Sequence, residues 1–158
     1  MHRLYEYGDI AVFWDSEKCR HAKRCVTGSP KTFSFERRPW IDLTQAPTME
    51  IWQTIDKCPT GALSCVYTHE TGIELDEDNS RSVALCNGEQ IGECDFRKTQ
   101  DGWVIYHTEV MPEHEGKGIA KRLVYKILEA ADKSKVKVIP TCSYAKKVMS
   151  EEEPLCEA

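Results

Sequence analysis

Nowhere does the sequence run eighteen apolar residues together, so it offers no segment able to cross a bilayer as a helix. It lacks an excess of positive charge as well. The first seventy residues are neutral and residues 71–158 carry the whole formal charge of −5, a balance that argues against general nucleic-acid binding. The N-terminal stretch holds Glu6 and Asp9 and lacks the basic and apolar regions of a signal peptide. These absences set the expectation of a soluble, cytoplasmic protein that engages neither membrane nor nucleic acid. In a reducing compartment its eight cysteines are metal ligands, catalytic groups or small hydrophobes rather than a disulfide framework.

Spacing sorts the cysteines. Ile10 to Trp14 reads as a strand, and Asp15-Ser16 can cap a helical turn carrying Cys19-Arg20-His21-Ala22-Lys23-Arg24-Cys25. Arg37-Arg38-Pro39-Trp40-Ile41-Asp42 is extended. Pro47-Thr48 opens a helix with Ile51 and Ile55 one turn apart, which runs to Cys58-Pro59. Leu63 to Thr68 closes this half as a strand. Bacterial ferredoxins place three cluster ligands in C-x2-C-x2-C and another in a distant C-P. Here alanine, Ala22, occupies the middle slot. Arg20, Lys23 and Arg24 add positive charge that favours thiolates and offsets a negative cluster. Zinc on Cys19, His21, Cys25 and Cys58 is an alternative, although zinc ligands usually come in close pairs. Cys65 sits in a strand pattern and reads as core.

Cys19-x-His21-Ala22-x-x-Cys25, the Arg37–Asp42 stretch and Cys58-Pro59-Thr60-Gly61-Ala62-Leu63 together resemble the divergent single-cluster ferredoxin-like domains, across roughly residues 4–68. The resemblance implies an iron–sulfur cluster on Cys19, Cys25 and Cys58. Three thiolates suffice for 3Fe–4S; a 4Fe–4S cluster would draw a fourth ligand from water, His21, Cys65 or another molecule.

Residues 71–80, with Thr71-Gly72 and the acidic run 74–78, read as a linker between a domain over 1–70 and a second over 81–150, followed by a tail at 151–158. Ser82 to Cys86 and Gln90 to Phe96 are strands joined by the hairpin signal Asn87-Gly88. Trp103 to Val110 continues the meander. Gly116-Lys117-Gly118 precedes a helix whose Ile119, Leu123, Ile127 and Ala131 recur on one face. Its unbonded N–H groups form a seat for a phosphate. Val136 to Ile139 is a further strand ending at Pro140, and Ser143 can cap a last helix through Met149.

This order, with His107-Thr108-Glu109-Val110, Glu115-Gly116-Lys117-Gly118-Ile119-Ala120 and Val138-Ile139-Pro140-Thr141-Cys142-Ser143-Tyr144, resembles the minimal acetyltransferases of the GNAT superfamily. The expected fold is therefore α+β, a small ferredoxin-like domain followed by a minimal GNAT-like domain. The resemblance implies acetyl-CoA with its pyrophosphate over Gly116, Lys117, Gly118, Ile119, Ala120 and Lys121, where Lys117, Lys121 and Arg122 offer counter-charge. Its pantetheine arm would run along Val110 and Met111, a backbone N–H of which could face the thioester oxyanion. Cys142 is implied as a nucleophile that takes the acetyl group, or, with Tyr144, as a proton donor in direct transfer to an amine. Glu115 departs from the usual Arg or Gln, and its carboxylate cannot donate to a phosphate. Three readings follow: an N-acetyltransferase fused to an iron–sulfur module that senses redox state or stabilises the fold; an electron carrier or redox sensor, with a partner protein, whose GNAT-like half only binds CoA; or a folded interaction protein binding neither.

Overall fold

The computed structural model describes residues 1–150; the tail expected at 151–158 lies outside the described residues. Strands β1 (His2–Tyr7), β2 (Ile10–Asp15) and β3 (Leu63–Tyr67) form an antiparallel sheet in the order β1-β2-β3. Every residue of β2 is buried, as a central strand covered on both faces requires. Between β2 and β3 lie α1 (Arg24–Gly28) and α2 (Thr48–Ile55). Ile51 and Ile55 pack with Phe33, Ile41, Leu43 and Leu63 in a core of their own.

The cysteine loop is not the helical turn expected of it. Asp15 accepts from the Glu17 amide at 3.0 Å and caps only a short 3-10 turn, Ser16–Lys18. The chain then leaves helical geometry, with left-handed φ values of 55° at His21 and 62° at Lys23, before α1 begins.

The second sheet has the order β4-β5-β6-β7-β8: β4 (Thr71–Asp76), β5 (Arg81–Cys86), β6 (Glu89–Thr99), β7 (Gly102–Val110) and β8 (Val138–Pro140). Residues 71–76 are thus a strand, not a linker. Thr71 and Ile73 point inward and Gly72 and Glu74 outward, an alternation that the acidity of the segment masks. The first four strands are antiparallel, while β8 runs parallel to β7. A parallel pair needs a long crossover, supplied by α3 (Ile119–Lys133). The last helix, α4 (Ser143–Met149), is capped by Cys142 rather than Ser143, its sulfur accepting from the Ala145 amide at 3.3 Å. No described helix is long and apolar enough to cross a membrane.

Helix α3 is buried on two sides. Leu123, Ile127, Leu128 and Ala131 pack on the second sheet with Phe96 and Ile105, in a core that also takes in Ala11, Phe13 and Val66 from the first half. The opposite face meets β1 and β2. Arg122 is 1% exposed; its guanidinium pairs with Glu6 and donates to the Thr68 and Thr71 carbonyls at 3.3 and 2.8 Å. Lys121 is also buried, its Nζ donating to Ser64 Oγ at 3.0 Å and standing 4.6 Å from the Phe13 ring centroid. The Leu4 amide donates to Glu129, and His2 lies 3.5 Å from both Asp15 and Asp132.

Gly102 marks where β7 starts beside the segment leading to β8. Its φ is 141°, a Cβ there would stand 2.4 Å from the Lys137 carbonyl oxygen, and that carbonyl accepts from the Trp103 amide. Gly102→Ala is expected to cost about 2 kcal/mol. At roughly 2–4 °C per kcal/mol for a chain of this size, a thermal melt should fall by about 4–8 °C.

Candidate functional site

The first centre is a small cavity walled by Cys19, Cys25 and Cys58 together with Trp14, Arg20, His21, Lys23, Arg24, Phe35, Pro59 and Thr60. The three cysteines expected as ligands are therefore brought together, each half-buried. Cys65 is not with them; it is fully buried in β3 opposite Val12. The His21 amide reaches the Cys19 sulfur at 3.4 Å. Burial pushes the Cys25 thiol up, against the amides of Val26 and of Cys25 itself. Burial would raise Cys58 too, but the amides of Leu63, Thr60 and Ala62 and the Thr60 hydroxyl outweigh it and bring that thiol below its ordinary value.

Among the described residues no three His, Cys, Asp or Glu side chains converge as they would on a single metal ion. A cluster makes a different demand, because each thiolate binds its own iron and the ligands surround the group instead of meeting at a point. Three half-buried sulfurs on one cavity, each approached by backbone N–H groups, with three exposed cations along the rim, fit an anionic iron–sulfur cluster.

The second centre is a cleft of about 400 Å³ lined by Thr108, Val110, His114, Glu115, Gly116, Gly118, Ile119, Ala120, Tyr144 and Lys147. It exists because β7 and β8 part. They pair only over Trp103–Ile105 and Val138–Pro140, after which the amides of Thr141 and Cys142 both turn onto the Ile105 carbonyl. Beyond Ile105 the β7 edge has no β8 partner. Met111 N–H donates to the Ile91 carbonyl at 2.8 Å, so it is not available to a ligand as expected. Antiparallel bonding alternates, and with Gly92 opposite Val110 the Val110 N–H points to the open edge.

Gly116 and Gly118 have φ values of 76° and 73°, and Gly118 is the N-cap of α3 without a side-chain cap. A Cβ on Gly118 would stand 2.7 Å from Val66 Cγ1, whereas one on Gly116 meets nothing within 4 Å. The glycine loop is thus seated on β3 of the first half. This explains why the side chains of Lys121 and Arg122, expected as counter-charges, are buried away from the cleft lining. Residues three and four beyond Gly118 share its face, so their side chains enter the joint between the halves. Lys117 is half-buried beside the cleft and outside its lining, and Met111 is exposed.

Sequence reasoning missed Lys147, one helical turn from Tyr144, and His114, whose buried Nδ1 has no hydrogen-bond partner among the described residues. The i, i+3 spacing of Tyr144 and Lys147 was the available signal for the first. Cys142 stands behind the cleft, 3.5 Å from Thr108 Oγ1. On its other side Thr108 contacts the Cys94 sulfur at 3.3 Å. Burial pushes Cys94 up to about 12, so it is a neutral thiol.

The family described as "Divergent 4Fe-4S mono-cluster" matches residues 5–68, and "GCN5-related N-acetyl-transferase" matches residues 81–156. The uncharacterized protein YjdI of Escherichia coli (strain K12) is 35% identical over 69 residues, 44% of this chain and 88% of the relative; its counterpart in Escherichia coli O157:H7 gives the same values. Among solved structures, a ribosomal-protein-alanine N-acetyltransferase from Brucella melitensis biovar Abortus 2308 is 24% identical with a TM-score of 0.37, over 42% of this chain and 53% of that one. N-acetylglutamate synthase from Neisseria gonorrhoeae, complexed with coenzyme A and N-acetyl-glutamate, is 22% identical with a TM-score of 0.33, over 39% of this chain and 17% of that one. The chain therefore spans about half or less of these structures. It belongs to the divergent 4Fe-4S mono-cluster family over residues 5–68 and carries a GCN5-related N-acetyl-transferase domain over residues 81–156.

Proposed function

We propose that the second half transfers an acetyl group from acetyl-CoA to an amine, while the first holds an iron–sulfur cluster, 3Fe–4S or 4Fe–4S, on Cys19, Cys25 and Cys58. The observation that carries this reading is the cleft running from the open edge of β7 to the uncapped start of α3. The pyrophosphate lies over the N–H groups of Gly116–Ala120, with Lys117 and Lys147 as the nearby cations. The pantetheine arm follows β7 as a further strand would, and the Val110 N–H donates to the oxygen that becomes negative during transfer. The amine, once deprotonated, attacks the thioester carbon through its nitrogen; the C–N bond forms and the C–S bond breaks. The CoA thiolate takes a proton from the Tyr144 hydroxyl on the cleft wall, and the proton shed by the attacking nitrogen returns to the Tyr144 oxygen through solvent. Cys142 acts as a positioning residue: its sulfur caps α4 and borders Thr108. The cluster, when bound, supplies a one-electron centre and a covalent tie across the cysteine loop. The acidic second half favours a cationic acceptor, such as a polyamine or a lysine side chain.

Gly116→Glu tests the cofactor site, because it fills the cleft and meets no protein atom near its Cβ. Calorimetric titration should show acetyl-CoA affinity reduced at least tenfold, with a melt only about 2–4 °C below wild type, since a side chain at a φ of 76° costs about 1 kcal/mol in the left-handed region. Equal binding by wild type and variant would contradict this placement. Intact mass after mixing with acetyl-CoA should show no persistent acetyl group on Cys142; one found there, and abolished by Cys142→Ala, would assign the acetyl-cysteine route instead. Glu115 gives the competing reading its support, since it puts a carboxylate into the cleft. CoA binding without transfer to any amine would make the protein a redox sensor or electron carrier.

A further inference from the structure

The cluster motif is one thiolate short, because Ala22 occupies the middle slot. We propose that His21 supplies the fourth ligand, its imidazole binding the iron that no cysteine reaches; this rests on the cluster reading above. Of the residues walling the cavity, only Cys19, Cys25, Cys58 and His21 carry a sulfur or imidazole nitrogen suited to iron. Arg20, Lys23 and Arg24 are cations, and the Thr60 hydroxyl is engaged with Cys58 and the Ala62 amide. Cys65 faces the core from β3 and is absent from the wall.

The backbone explains how a residue two positions from Cys19 comes to share its cavity. Along a helix, positions i and i+2 do not share a face. Here His21 is left-handed, and its own N–H reaches back to the Cys19 sulfur. The imidazole stands edge-on to Phe35 at 6.4 Å between ring centroids. Phe35 stacks on Trp40, which packs against Trp14 of the cavity wall. Phe35 is 45% exposed, a position for a large apolar ring that its support of the His21 imidazole accounts for. Among the described residues no hydrogen bond or ion pair engages the His21 ring. A neutral imidazole in place of an anionic thiolate leaves the cluster less negative and raises its reduction potential.

The test uses the full chain purified anaerobically, with iron and sulfide counted by native mass spectrometry and the reduced cluster probed by nitrogen-selective pulsed EPR. Wild type should hold four irons with a nitrogen coupling that changes when histidine is labelled with a different nitrogen isotope. His21→Ala should lose one iron and the coupling. His21→Cys should keep four irons, lose the coupling and show a lower potential. Four irons with unchanged coupling in His21→Ala would overturn the assignment, as would a wild type that holds only three irons. Loss of the fourth iron in Cys156→Ser but not in His21→Ala would also overturn it, in favour of a thiolate outside the described residues. A wild type that takes up no iron would instead overturn the cluster reading itself.

Discussion

Arg122→Ala should lower the thermal midpoint by about 10 °C. Removing one partner of a buried ion pair costs roughly 3–5 kcal/mol, and the exposure of Glu6, 24% at the side chain against 1% for Arg122, favours the low end because the stranded carboxylate can turn toward water. About 3 kcal/mol at roughly 2–4 °C per kcal/mol gives that shift. The loss is not of a charge pair alone. The Thr68 and Thr71 carbonyls and the Thr71 hydroxyl all accept from this guanidinium and would each lose that donor, although the Thr68 carbonyl keeps the Thr71 amide and hydroxyl as donors. Arg122→Met, which keeps much of the volume, should cost less, and Glu6→Gln less again. An Arg122→Ala protein that melts within a degree of wild type would show that the halves do not depend on this joint.

Cys58→Ser should abolish the cluster, with iron content falling to a tenth of wild type or lower, whereas Cys65→Ser should keep it. Both residues are cysteines of the same half, and burial alone would misrank them because Cys65 is the more buried. What separates them is direction. Cys58 opens onto the cavity, with the amides of Leu63, Thr60 and Ala62 aimed at its sulfur, while Cys65 lies among Ile10, Val12 and Ile51. A serine oxygen is a poor ligand for iron beside soft thiolates. At position 65 serine instead buries a hydroxyl in an apolar core, at about 1–3 kcal/mol. Metal affinity is folding free energy where the site forms only in the folded chain, so Cys58→Ser should also lower the melt of the holoprotein. Retention of iron by Cys58→Ser, or its loss from Cys65→Ser, would redraw the ligand set.

Local signals made much of this legible in the sequence. Asn87-Gly88 forms the hairpin turn with both φ values positive, and the Ile119–Ala131 periodicity marks the face of α3 on the second sheet. The cysteine spacing named three residues that the fold places on one cavity. Relations between the halves were not legible. β1 has no alternating burial and is held by pairing with β2 and by α3. Lys121 and Arg122 follow a glycine loop, as phosphate-binding cations would, and only the seating of Gly118 on Val66 reveals that their face is covered. A single sequence carries no mark of which polar helix face another sheet will bury.

The most direct measurement is native mass spectrometry of the anaerobically purified chain mixed with acetyl-CoA. The account predicts one species carrying both an iron–sulfur cluster and the cofactor, with the cluster lost in Cys58→Ser and the cofactor lost in Gly116→Glu. A colourless protein at the bare polypeptide mass, unchanged by acetyl-CoA, would contradict it.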